Sequence, residues 1–72
     1  MENSCKYYIT RRSEDGSEKV VQRIRGNKEE ALQIFYAVIN EQAIEYHIKK
    51  TMKTWQVLRL YDANSTLIAQ ES

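Results

Sequence analysis

The stretch Asn27-Lys28-Glu29-Glu30-Ala31-Leu32-Gln33-Ile34-Phe35-Tyr36-Ala37-Val38-Ile39-Asn40-Glu41-Gln42 decides the fold. Its apolar residues Ala31, Leu32, Ile34, Phe35, Val38 and Ile39 recur at i, i+3, i+4 and i+7, the spacing of one helix face. Asn27 stands where a side chain accepts the orphan amide protons of a first turn, and Glu30, three residues on, can reach back to complete a capping box. Glu29 and Glu30 also suit the positive end of the helix dipole. The spacing therefore predicts a helix from Lys28 to about Gln42, packed through Leu32, Phe35, Val38 and Ile39. Ile34 and Tyr36 flank the stripe on opposite sides and widen it to roughly 200°, well beyond the ~100° that a core-facing stripe needs. One flank is free to meet something other than the protein's own sheet.

Before the helix, Cys5 to Arg12 carries Tyr7, Tyr8, Ile9 and Thr10, types that suit a pleated surface. Asp15-Gly16 is a hairpin-turn pair, so a second strand is expected from Glu18 to Arg25, with Val20 and Ile24 on the core face. After the helix, Ile44-Glu45-Tyr46-His47-Ile48-Lys49 alternates apolar and polar residues, which predicts a strand with Ile44, Tyr46 and Ile48 inward. Lys50 to Lys53 would connect it to a strand from Thr54 to Tyr61. Asp62-Ala63-Asn64-Ser65 reads as a turn with Asn64 in the left-handed region, and Thr66 to Gln70 as a short last strand.

The order is β-β-α-β-β-β, an α+β domain of two layers: a five-stranded, mainly antiparallel sheet with one helix on one face. Seventy-two residues without proline or a low-complexity linker make residues 1–72 a single domain. One helix leaves the other face of the sheet uncovered, and function has to be sought there.

Several classes of chemistry lack a starting point. One cysteine, Cys5, and one histidine, His47, make neither an internal disulfide nor a Cys/His zinc site. A Cys5–His47 thiolate–imidazole pair would join a chain terminus to a solvated strand face, and the acidic residues fall in turns and a helix cap. No phosphate-loop, dinucleotide, zinc-hydrolase or calcium motif occurs, so no catalysis, cofactor or metal is expected. No apolar run approaches the roughly 18 residues of a membrane span, and Met1 to Tyr8 has no signal-peptide pattern, so a soluble cytoplasmic protein is expected. Eleven Lys and Arg against ten Asp and Glu leave +1, too balanced to name a partner.

The chain does carry more large apolar residues than one helix can bury. In the strand from Thr54 to Tyr61, Trp55, Val57, Arg59 and Tyr61 share one parity and Leu58 and Leu60 the other. A charged Arg59 is hard to place under the helix, which turns Trp55, Val57 and Tyr61 outward, although a lone tryptophan also suits a core and would reverse the faces. On the first choice, a protein-binding surface centres on Trp55 and Tyr61 with Val57, and with Tyr8, Arg23 and Arg59 at its margin. A homodimer through the sheet face or the helix flank is the simplest use of it. The alternative is a single-stranded nucleic acid on a face carrying Lys6, Tyr8, Arg12, Lys19, Arg23 and Arg25.

The Tyr-rich first strand, the turn Glu14-Asp15-Gly16-Ser17, the cap and helix from Asn27, and the closing segment Leu58 to Ile68, with Ser65 where glycine is commoner, together give a recognisable layout. It resembles the small orphan proteins of bacteriophages and bacterial mobile elements. That resemblance implies a protein that occludes a host enzyme or a defence protein, and it carries over no functional residues.

Overall fold

In the computed structural model, which describes residues 6–71, the chain forms four strands and one long helical segment. Cys5 lies outside the described residues, and with it the first residue of the expected strand and the Cys5–His47 pair. Strands β1 (Tyr7–Arg12) and β2 (Glu18–Ile24) form the expected hairpin. Its turn is held by Asp15, whose Oδ1 accepts from the amide and the hydroxyl of Ser17, while Gly16 takes a φ of 93°.

Helix α1 (Lys28–Ala43) begins with the capping box read from the sequence. The Glu30 amide donates to Asn27 Oδ1 at 2.8 Å and the Asn27 amide to Glu30 Oε1 at 2.9 Å. Phe35 and Ala31 are fully buried, and Leu32, Ile34, Val38 and Ile39 pack around them at partial burial. Of the two flanks, the Ile34 side meets the core and the Tyr36 side is open, with Tyr36 58% exposed.

The helix does not stop where a strand was expected. Ile44–Lys49 continues it as a π-helical turn, so the five-stranded sheet is corrected to four strands, β3 being Val57–Asp62 and β4 Leu67–Glu71. Glu41, Gln42 and Ala43 contain no helix breaker, and the Ile44 amide bonds back to the carbonyls of Asn40 and Glu41, so the helical ladder runs on. It ends only at Lys50, whose φ of 60° turns the chain away. A period of two over six residues loses to an unbroken helical ladder. Ile48, expected inward, is consequently 73% exposed, and Ile44 and Tyr46 are half-buried. No helix among the described residues is long and apolar enough to cross a membrane.

The strands form one antiparallel sheet in the order β2-β1-β3-β4, so β1 and β3 are central. Ile9, Ile24, Leu58 and Leu60 point under the helix and complete the core with Ala31 and Phe35. Val20, expected beside Ile24 in the core, is 39% exposed. Between Ile9 and Thr10 the pairing jumps from Gln22 to Val20, leaving Val21 as an extra residue, and this bulge reverses the face of everything before it in β2. In the β3–β4 turn, Ser65 and not Asn64 occupies the left-handed region, because Asp62 gathers the turn by accepting from the amides of Asn64 and Thr66.

Candidate protein-binding face

Pairing partners share a face, so the register places the uncovered side of the sheet residue by residue. One row holds Glu18, Arg12 and Val57; the next Val20, Thr10, Arg59 and Gln70; the third Arg23, Tyr8, Tyr61 and Leu67. Leu58 and Leu60 are fully buried on the other side, the register in which Arg59 and Tyr61 point away from the helix. Tyr61, Val57, Arg59, Tyr8 and Arg23 therefore lie together on this outer face.

Trp55 does not join them. It precedes β3, on residues that form no ladder, so the parity argument that grouped it with Tyr61 has no strand to act on. The strand starts late because Gln42, fully buried on α1, donates its Nε2 to the Gln56 carbonyl at 2.8 Å and holds that residue to the helix. Trp55 packs instead on the π-helical turn, 5.7 Å from the Tyr46 ring and 5.9 Å from His47 between centroids. Lys19 leaves the expected basic face as well, since the bulge pairs it with Arg11.

A polar network crosses all four strands of the outer face and was not evident in the sequence. The Glu18 carboxylate accepts from Thr10 Oγ1 at 2.5 Å, from Arg59 Nη1 at 2.9 Å and from the Tyr61 hydroxyl at 3.0 Å, and Arg59 Nε donates to Gln70 Oε1 at 2.9 Å. Glu18 and Arg59 side chains keep only 28% and 24% of their exposure, so this ion pair is held in one geometry. The Tyr8 and Tyr61 rings stack at 5.3 Å with a 24° interplanar angle, and the Tyr8 hydroxyl shares a 2.7 Å hydrogen bond with Ser65 Oγ. Rings and guanidinium are thus fixed before any partner arrives. Glu18, Thr10, Gln70 and Ser65 were legible as outward-facing only once the register was known.

The Thr10 hydroxyl, then Tyr61 and Arg59, stabilise the Glu18 carboxylate and lower its pKa, whereas burial and the same carboxylate raise that of Tyr61. A lowered carboxylate contributes stability above its unfolded pKa and loses it as the pH falls through the folded value. Denaturant melts should therefore find wild type more stable than Glu18→Gln at neutral pH, with the gap closing as the pH drops below the ordinary glutamate range. A gap independent of pH would mean that the ionised network contributes nothing.

The two edges of the sheet are poor sites for adding a strand. A bulge interrupts β2 at Val21 and another interrupts β4 near Ile68, and β2 also carries Lys19 and Arg23, all devices that blunt edge pairing. Comparison with protein-family models, with curated proteins and with solved structures returned no match.

Proposed function

We propose that this protein is a non-catalytic binding module that works by occlusion, laying the outer face of its sheet over the surface of a partner protein. The observation that carries this reading is the pinned Tyr8–Tyr61 stack, with Arg23 and Leu67 in the same row and the exposed Val20 and Val21 beside it. Tyrosine and arginine are the types enriched at binding hot spots, and side chains already held in place lose little entropy on binding. A host or defence protein is the class of partner that the phage-type resemblance suggests. Homodimerisation fits the helical side better than this face: residues 31–40 carry no charge and Tyr36 is open, whereas a sheet-to-sheet dimer would set arginines against arginines.

Affinity capture from the source cell tests the reading with three baits: wild type, Arg23→Glu on the sheet, and Tyr36→Glu on the helix. A protein held by wild type and by Tyr36→Glu, and reduced at least about tenfold by Arg23→Glu, is the expected result. Material removed by nuclease, with affinity falling steeply in salt, would favour single-stranded nucleic acid instead. The ring geometry argues against that alternative, because each tyrosine already spends one ring face on the other.

A further inference from the structure

The two sides of the molecule differ in charge although the chain as a whole is +1. Arg12, Arg23 and Arg59 share the outer sheet face with Glu18 as the only carboxylate in its three rows. The helical layer leans the other way, with Glu29, Glu30, Glu41 and Glu45 against Lys28, Lys49 and the capping Lys50. Glu18 is moreover spent internally, holding Arg59, Thr10 and Tyr61. The sheet face therefore offers a surplus of positive charge beside the apolar and aromatic row of Tyr8, Tyr61 and Leu67.

We propose that the partner surface seated on this face is an acidic polypeptide with apolar residues between its carboxylates. This rests on the protein-binding reading and adds the partner's chemistry to it. Arg12 and Arg23, exposed at opposite ends of the face, meet carboxylates, while Val20 in the middle row and the Tyr8–Tyr61 pair and Leu67 in Arg23's own row meet the partner's apolar residues. Arg59 sits in the middle row with its charge already committed to Glu18 and Gln70, so it adds little attraction. A second copy does not fit sheet face to sheet face, because its own surplus there has the same sign.

The geometry yields an expectation of unusual sign. Replacing Glu18 by Gln removes the carboxylate that occupies Arg59 and raises the positive surplus, so it should tighten binding even though Glu18 holds the polar network of the face together. The probe is a synthetic peptide with leucine and tyrosine spaced between glutamates, titrated at low salt into the whole chain beside an oligothymidylate of similar charge. Binding to the peptide should weaken about tenfold or more with Arg23→Glu, and about two- to threefold or less with Lys49→Glu, which makes the same charge change on the helical layer. Glu18→Gln should bind the peptide about two- to threefold more tightly, provided its circular dichroism shows it folded; Arg12→Glu repeats the Arg23 test outside the network. Equal losses from Arg23→Glu and Lys49→Glu would overturn the assignment of this face while leaving protein binding intact. Oligothymidylate binding tighter than the peptide, and lost with Arg23→Glu, would overturn protein binding and keep the face.

Discussion

Phe35→Ala should cost the chain about 3–5 kcal/mol, the largest loss expected from truncating any one side chain of its core. Phe35 is 1% exposed and belongs to the cluster that joins the helix to Ile9, Ile24, Leu58 and Leu60. Truncating a buried phenylalanine costs about 3–5 kcal/mol through lost transfer energy and the cavity left behind. At about 0.05–0.15 kcal/mol per residue the whole domain holds about 4–11 kcal/mol, so the loss takes from about a quarter to all of it. Helix propensity does not replace that loss, since a 16-residue helix is marginal without the sheet it packs on. Far-ultraviolet circular dichroism with a urea titration measures the effect. A variant that melts like the parent would remove Phe35 from the core.

The second large effect distinguishes neighbouring residues. Leu58→Asp should abolish folding while Val57→Asp leaves the chain folded, because the two side chains project from opposite faces of β3. Leu58 is fully buried under the helix, where an unpaired carboxylate costs several kcal/mol or forces its own protonation. Val57 lies half-buried on the outer face at a row end beside Arg12, whose guanidinium can answer an introduced charge. Thermal melts of the two variants side by side read the contrast directly. The reverse order of stability would turn the strand over, and with it the whole candidate face.

What the sequence made legible follows the range of the interactions involved. The capping box at Asn27 and Glu30 needs four consecutive residues, and the stripe centred on Phe35 needs only the helix's own period, so both could be read in isolation. The face of β3 was legible because Arg59 is a local veto: whatever its partners, a guanidinium resists placement beneath an apolar helix. The bulge at Val21 was not legible, since a register jump is a relation between two strands, and it returned Val20 to the outer face and Lys19 to the inner one. Ile44–Lys49 failed for a similar reason. Its alternation was real, but the absence of any breaker between Asn40 and Ile44 let the helical hydrogen bonds run on, and losing that strand moved Trp55 from the sheet to the π-helical turn. At the site, Tyr8, Arg23, Val57, Arg59 and Tyr61 could be grouped by residue type and parity. Glu18, which organises them, looked like an ordinary strand-opening residue until Thr10, Arg59 and Tyr61 were brought within hydrogen-bonding distance of it.

Binding on the outer sheet face can be read from methyl and aromatic side-chain resonances of the protein recorded with and without the captured partner. Side chains report which face is covered, where strand amides would respond to either. Shifts or broadening are expected at Val20, Val21, Val57 and Leu67 and in the Tyr8 and Tyr61 rings, with Ile44, Ile48 and Tyr36 unchanged. Perturbation of Tyr36 and Ile48 with a silent sheet face would contradict binding there.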